Sequence, residues 1–306
     1  LISIFLYMEI NLISIFCFIF FILLIYENFT INLNERFSNE KYIYRSDDLK
    51  DKKILVLYVF HQYNDRVKHF IKECIFYDEN ITFLLICNDA KEFHKSKSID
   101  CPDYVKVIKR ENIGYDFAGW SEGLFLNDYY KGFDYFLFIN SSVMGPFQSK
   151  DDKRNYVDIY IEPLNKNNVK LFGSTINTQE NPIVRSHVQS YIFSVDRESL
   201  DYLIKKEIFS LSNISNTFQN AIDDKEIKMS RVILENNWNI GCLHKYYNNV
   251  DFRFKTKESK DPKIIKYLSK YGDIMMKQFQ NKVWTFNELV FVKGNRLDLN
   301  STANLI

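Results

Sequence analysis

Two nearly continuous apolar runs, with a helical pattern between them, constrain the fold of this chain more than any other feature. Residues 53–60 (KILVLYVF) and 81–87 (ITFLLIC) have the β-branched and aromatic content of strands that are buried on both faces. Between them, residues 65–77 place their apolar side chains on one helical stripe. A strand, a helix and a second strand in this order predict a parallel pair joined by a right-handed crossover.

The same alternation continues along the chain. It predicts further strands at 104–109, 135–139, 169–174, 189–195, 238–243 and 288–293, and helices at 117–130, 197–205 and 226–236. No linker-like change of composition divides this part of the sequence. We therefore predict one α/β domain over residues 51–306, with a mostly parallel central sheet flanked by helices.

The N-terminal segment predicts a membrane partner. Residues 12–26 (LISIFCFIFFILLIY) carry no charge, and with flanking apolar residues they approach the length of a bilayer-spanning helix. A cleaved signal peptide is the alternative, but the run has neither a basic segment before it nor a small-residue cleavage site after it. We predict a single-pass membrane anchor at 1–27 and a polar linker at 28–50, with the side of the membrane left open.

Charge and cysteine content exclude two classes of function. Lys and Arg number 40 against 39 Asp and Glu, so the net charge of +1 gives no broad positive field for a nucleic-acid backbone. The five cysteines form no CxxC pair and have no histidine at ligand spacing, so no zinc site is predicted.

Polar residues follow the predicted strands, where ligands of parallel sheets bind. They are His61, Asp89, residues 112–116 and residues 140–142. Gly114 permits a close approach of the backbone to a ligand, while Asp116 is placed to cap the helix predicted from Phe117, which would be a purely structural role. The Asn140-Ser141-Ser142 triplet offers amide and hydroxyl groups beside Asp116, or else forms a turn that satisfies its own backbone.

Six stretches of this sequence together resemble a known family. They are VFHQYND, LLICND, RENIGYDFAGWSEGL, YFLFINSSVMGPF, SHVQSYIFSVDRESL and EIKMSRVILENNWNI, spread in this order over most of 54–240. Their layout is similar to the nucleotide-sugar-binding half of GT-A glycosyltransferases, and more specifically to the rhamnan synthesis protein F family and its algal and large-virus relatives. The resemblance implies a GT-A-like, Rossmann-like fold. It also implies transfer of a sugar from a nucleotide-diphospho-sugar to a glycan or lipid-linked acceptor, with rhamnose suggested by the family alone.

The resemblance further implies a donor site. In that layout Asp89 would contact the base or ribose, with His61 beside it. Asn112, Gly114 and Asp116 would line the pocket for the ribose and the donor sugar, and Asp116 would also serve catalysis together with Glu226.

The strand end at 140–142 departs from the pattern of the fold. Asn140 and Ser142 occupy the place where such enzymes usually carry an Asp-x-Asp metal motif, and neutral oxygens bind Mg²⁺ or Mn²⁺ far more weakly than carboxylates do. A metal cofactor is therefore left open. Without a metal, the departing pyrophosphate needs positive charge, for which Lys293 and Arg296 are the candidates, together with Arg185.

An acceptor hydroxyl needs a general base close to it. Glu226 matches the acidic element of inverting members, although a glutamate in a first helical turn is also favoured by the helix dipole without any catalysis. His187 is the alternative base or an acceptor contact. Gln189, two residues on, would share its face of a strand and contact the acceptor.

Two other functions are compatible with parts of this sequence. A membrane-anchored protein that binds nucleotide sugars or glycans without turnover would explain the missing acidic metal motif. A sugar nucleotidyltransferase is disfavoured, because VFHQYND contains none of the glycines of its nucleotide loop.

Overall fold

The computed structural model describes residues 44–89, 99–149, 151–254, 260–280 and 282–296. The anchor predicted at 1–27 and the linker as far as residue 43 lie outside these ranges. Within them, no helix has the length and apolarity needed to cross a bilayer. Residues 44–50, at the end of the predicted linker, contact the domain: the Arg45 guanidinium lies 2.9 Å from both Asp78 and the buried Asp158.

Eleven strands are formed by the residues that the structure describes. They are β1 (Ile54–Phe60), β2 (Ile81–Cys87), β3 (Lys106–Lys109), β4 (Tyr135–Asn140), β5 (Val143–Met144), β6 (Val169–Gly173), β7 (Ile176–Asn177), β8 (His187–Val188), β9 (Ile192–Asp196), β10 (Asn239–Cys242) and β11 (Val292–Lys293). Seven of them form the central sheet in the order β10-β6-β9-β4-β1-β2-β3. All neighbours are parallel except β9, which is antiparallel to β4 and β6. The predicted mostly parallel sheet is confirmed.

Helices flank the sheet, as predicted. They are α1 (Asp65–Cys74), α2 (Tyr115–Phe125), α3 (Tyr156–Ile161), α4 (Pro182–Arg185), α5 (Arg197–Lys205), α6 (Phe218–Asn220), α7 (Lys228–Glu235), α8 (Pro262–Leu268) and α9 (Phe286–Leu289). A π-helical segment, Ala221–Ile227, joins α6 to α7. Short 3₁₀ turns lie at Leu126–Gly132, Lys166–Asn168, Lys245–Tyr247, Lys277–Phe279 and Gly294–Arg296.

The apolar runs in the sequence are explained by two cores, one on each face of the sheet. Along β1, Val56 and Tyr58 belong to one apolar cluster, and Leu55 and Leu57 belong to the other. Every residue of β1 is buried because successive side chains point to opposite faces and both faces are covered.

The reversed direction of β9 determines what reaches the ligand-binding edge of the sheet. Ile192, the first residue of β9, pairs with Ile139 near the carboxyl end of β4. The residues that lead into β9, from β8 onward, therefore arrive at the edge where β1, β2 and β4 end.

Two local predictions are wrong. The strand predicted at 288–293 is helix α9 followed by the two-residue strand β11, and Thr285 caps that helix by accepting a hydrogen bond from the Glu288 N–H. Asp116 is not the cap of its helix: Gly114 is, in a left-handed conformation with φ of 78°, and the helix begins at Tyr115. A Cβ at position 114 would lie 2.7 Å from the Ala118 Cβ, so both the turn and the packing require glycine.

Candidate active site

A cavity of about 700 Å³ lies at the carboxyl edge of the sheet. Most of the residues singled out in the sequence line it: His61, Asn112, Asp116, Asn140, Ser142, Arg185, His187, Gln189, Glu226, Lys293 and Arg296. Among the described residues that line it, neither Asp89 nor Gly114 appears; Asn88 takes the place expected for Asp89. Residues from distant parts of the sequence thus meet at one site, as the strand-end argument predicted.

Asp116 is held by the polar triplet that follows β4. Asn140 Nδ2 donates to Asp116 Oδ2 at 2.9 Å, and Asn140 Oδ1 accepts from the Ser142 hydroxyl at 2.6 Å and from the Ser142 N–H at 3.0 Å. Both ends of the Asn140 amide are engaged, so its orientation is fixed. Asp116 does not cap its helix, so the purely structural role considered for it does not apply. It lines the cavity instead.

The surroundings of Asp116 hold its proton unusually tightly. The pKa of this carboxyl is raised from 3.8 to about 6: burial is the largest cause, the hydrogen bond from Asn140 acts in the opposite direction, and the negative charge of Glu226 adds to the rise. Asp116 therefore changes charge close to neutral pH, in the range where catalytic carboxylates are commonly found.

Glu226 lies in the π-helical segment, not in a first helical turn. The helical run begins at Phe218 after the cap residue Thr217, so the helix dipole does not explain Glu226. Its Oε1 accepts a hydrogen bond of 2.7 Å from the Ser190 N–H, which ties the carboxylate to the segment leading into β9. Single turns of π-helix occur frequently at functional sites, because the extra residue re-aims side chains.

His187 and Gln189 reach the cavity on that same segment. His187 Nδ1 lies 2.7 Å from the Arg185 carbonyl oxygen. Because a carbonyl oxygen can only accept, Nδ1–H donates this hydrogen bond, which leaves Nε2 as the acceptor in the neutral ring. The Gln189 amide donates to Asp273 Oδ1 at 3.3 Å and accepts from the Thr175 hydroxyl at 2.8 Å. Gln189 is thus firmly positioned, and His187 offers an acceptor nitrogen.

Three cationic side chains line the cavity in the part of the chain that the structure describes, and they differ in their partners. Arg296 is paired with Asp273 at 2.8 Å, and Arg185 with Asp223 at 2.7 Å. The Lys293 ammonium makes no hydrogen bond or ion pair with any described residue, and it lies 5.6 Å from the centre of the Tyr191 ring. Burial lowers the pKa of Lys293. An anion entering the cavity would meet Lys293 without first breaking an ion pair.

Sequence reasoning missed several lining residues. Asn88 is buried and fixed between Arg110, which donates to its Oδ1 at 2.9 Å, and the Tyr115 carbonyl, which accepts from its Nδ2 at 3.1 Å. Phe218 is 68% exposed and packs edge-on against Tyr115 at the rim. Asn88 directly follows strand β2, so the strand end did point to this part of the chain. The charge of the next residue, Asp89, favoured that residue instead.

Within the described ranges, no group of three or more His, Cys, Asp or Glu side chains is placed to hold a metal ion. Asn140 and Ser142, where the resemblance led us to look for a metal motif, have their polar groups bonded to each other and to Asp116.

The family model for rhamnan synthesis protein F matches residues 83–280. This range includes most of the cavity, with Lys293 and Arg296 lying beyond it. Virulence protein VirA of Vibrio anguillarum is 28% identical over 150 residues, a match that covers 48% of this chain and 40% of VirA. The matched region is therefore less than half the length of that curated relative.

Two solved structures are similar to parts of this chain. The WbbM bifunctional glycosyltransferase is 10% identical, with 52% of this chain and 33% of that chain covered and a TM-score of 0.28. A glycosyltransferase involved in the glycosylation of the major capsid of PBCV-1 is 15% identical, with 56% and 74% covered and a TM-score of 0.29.

Proposed function

The chain belongs to the rhamnan synthesis protein F family, and on that premise we propose that it is a glycosyltransferase. It takes a sugar from a nucleotide-diphospho-sugar and transfers it to a glycan or lipid-linked acceptor. The observation that carries this proposal is the meeting of Asp116, Glu226 and the unpaired Lys293 in one cavity at the carboxyl edge of the sheet. The family's name makes rhamnose the first donor sugar to test.

Lys293 stabilises the leaving group. When the bond between sugar and phosphate breaks, negative charge builds up on the departing nucleoside diphosphate. An ammonium that is already desolvated and forms no ion pair with a described carboxylate is suited to neutralise that charge, although Glu226 and Asp273 act on it through their negative charge. Arg296 takes a lesser part, because Asp273 already offsets its charge.

Glu226 is the general base for the acceptor hydroxyl. Such a hydroxyl has a pKa far above 7, so it becomes an effective nucleophile only as its proton is removed. One carboxylate oxygen of Glu226 is held by Ser190, which fixes the direction of the other. His187 orients the acceptor through its Nε2 lone pair, and Gln189 lies beside it.

Asp116 positions the donor sugar. Its Oδ2 is occupied by Asn140, which leaves Oδ1 to accept hydrogen bonds from sugar hydroxyls. Only the ionised carboxylate presents both oxygens as acceptors. Transfer therefore rises as pH increases through the Asp116 pKa of about 6.

The donor set at Asn140 and Ser142 does not fit a divalent cation. Mg²⁺ and Mn²⁺ favour anionic oxygens, whereas these two side chains are neutral and already bonded to each other. No step above passes through a metal ion, and we expect transfer to survive treatment with a chelator.

We also propose that residues 1–27 anchor the protein to a membrane, on the strength of the uncharged run at 12–26. Fractionation of cells that express the full chain, or the chain without residues 1–27, tests this. Recovery of both forms in the same fraction would contradict it.

A nucleotide-sugar panel tests the enzymatic proposal. The full chain is heated with UDP-, GDP- and dTDP-linked hexoses and rhamnoses, and a ligand that binds only the folded state raises the unfolding midpoint. The stabilising donor is then incubated with acceptors, and release of nucleoside diphosphate is measured. Stabilisation without release would indicate a binding protein, and a panel without any stabilising member would contradict the proposal altogether.

A further inference from the structure

A second cavity, of about 310 Å³, adjoins the candidate active site. It shares Gln179, Glu180 and Asp273 with the first cavity, so the two lie side by side with these residues between them. We propose that the second cavity binds the inner sugar units of an oligosaccharide acceptor whose terminal unit lies at Glu226. This inference rests on the proposed glycosyl transfer and adds to it that the acceptor is a carbohydrate chain.

The topology places the second cavity on the acceptor side. Asn177 of β7 pairs with His187 of β8, and both line the first cavity. The residues that follow Asn177, from Thr178 to Pro182, line the second cavity. Asn88 and Tyr115, in contrast, lie at the ends of β2 and after β3, on the other side of β1. A ligand with one end at His187 therefore continues into the second cavity, away from the β2–β3 side.

The lining suits carbohydrate. The rings of Tyr271 and Phe279 meet at 78° with centroids 5.9 Å apart, which forms an apolar corner against which a sugar ring can pack. Around it, the amide side chains of Gln179, Asn181 and Gln278 make no hydrogen bond to any described residue. An amide both donates and accepts, as does each sugar hydroxyl.

Other occupants fit the second cavity less well. Lys270 is its one cationic side chain among the described residues, and its charge lies over the Tyr271 and Tyr246 rings beside the acidic Glu180 and Asp273. A phosphate would find no excess of positive charge there. A long hydrocarbon tail would need a continuous apolar groove, whereas the charged and amide side chains of Glu180, Asn181 and Gln278 interrupt this lining.

The wall between the two cavities is rigid. Asp273 is 5% exposed, and its carboxylate accepts from Arg296 and Gln189, residues of the first cavity. On the other side, the Thr178 hydroxyl donates to the Leu268 carbonyl at 2.6 Å. A site that is formed before its ligand arrives loses less entropy on binding.

The test uses the full chain on an array of mono-, di-, tri- and tetrasaccharides. We expect oligosaccharides to bind, and monosaccharides of the same sugar to bind at least about tenfold more weakly. Tyr271→Ala is expected to lower oligosaccharide affinity about tenfold and to leave monosaccharide affinity within about twofold, while Tyr271→Phe keeps the ring and retains binding. Gln278→Ala is an exposed second variant that does not depend on the packing of Tyr271, and about a threefold loss is expected. Tyr77→Ala removes an exposed tyrosine outside both cavities and serves as the control.

The result that overturns the inference is an array without any bound oligosaccharide, or oligosaccharide binding that Tyr271→Ala and Gln278→Ala leave unchanged. The nucleotide-sugar panel separates this failure from failure of the proposed function. A donor that stabilises wild type and Tyr271→Ala equally shows that the first cavity works as proposed, whatever the array shows.

Discussion

Replacing Asp116 by asparagine is expected to abolish transfer and at the same time to stabilise the fold. Asparagine has nearly the same shape, and its Oδ1 can accept the hydrogen bond from Asn140. What the substitution removes is a negative charge that burial and Glu226 both disfavour.

The magnitude follows from the pKa of Asp116. A rise from 3.8 to about 6 corresponds to ~3 kcal/mol, because one pH decade is worth about 1.36 kcal/mol. Asp116 borders a solvent-filled cavity, and screening reduces the expected gain to ~1–2 kcal/mol at pH 7. The folded-state pKa is raised, so the native state benefits from protonation below pH 3.8 and loses that benefit as pH rises through about 6. The difference in the free energy of unfolding between variant and wild type should therefore grow between pH 3.8 and about 6 and stay constant at higher pH.

Urea unfolding of Asp116→Asn and wild type at pH 4, 5, 6, 7 and 8 measures this difference. Asp201→Asn, which makes the same substitution at an exposed aspartate on α5, is the matched control. A variant that is less stable than wild type at pH 7, or a difference that is independent of pH, would refute the reasoning. Transfer by Asp116→Asn should fall by about 100-fold or more, with no rise through pH 6.

Three further substitutions test other parts of the site. Glu226→Gln should lower the transfer rate by about 10²–10⁴-fold while the donor still raises the unfolding midpoint, and an unchanged rate would exclude Glu226 as the base. Lys293→Met should weaken donor affinity about tenfold and make that affinity depend less on salt concentration. If calorimetry shows that the variant and wild type bind the donor equally well at both low and high salt, Lys293 does not contact the phosphates. Gly119→Ala would place a Cβ 2.7 Å from the Asn88 Oδ1, and we expect a loss of ~1–3 kcal/mol in urea unfolding although alanine favours helices. Gly132→Ala, where a Cβ would meet nothing within 4 Å, should stay within about 0.5 kcal/mol of wild type.

The parts of the fold that could be predicted are those in which one local signal dominates. Strand β2 was predicted to the residue, because a short run of buried β-branched and aromatic side chains between polar segments has few other structures open to it. Helix α5 was likewise predicted from Arg197 to Lys205, where Asp196 caps the first turn by accepting from the Ser199 N–H.

The C-terminal error had a signal that was overlooked. Thr285 and Glu288 stand three residues apart, a spacing typical of helix N-termini, but the apolar residues around 289–292 favoured a strand. Short helices of this kind depend on a single cap and on packing that the sequence does not display.

The site could be predicted as a location more than as a set of contacts. Strand ends indicated the rim of the cavity, but they did not show which of Asn88 and Asp89 lines it, and charge favoured Asp89. No motif in the sequence pointed to Asp273. Its role depends on hydrogen bonds from Gln189 and Arg296, which are distant from it in the sequence and which only the fold brings into contact with it.

The reversal of β9 brings two different stretches of polypeptide to the cavity. In the proposed function, the donor binds at the ends of β1, β2 and β4, and the acceptor binds at the hairpin of β7 and β8 and at the loop between them. That loop can change its length or composition without disturbing a parallel strand. Exchange of residues 178–186 between members of this family should therefore transfer the choice of glycan while the choice of activated sugar stays with the recipient.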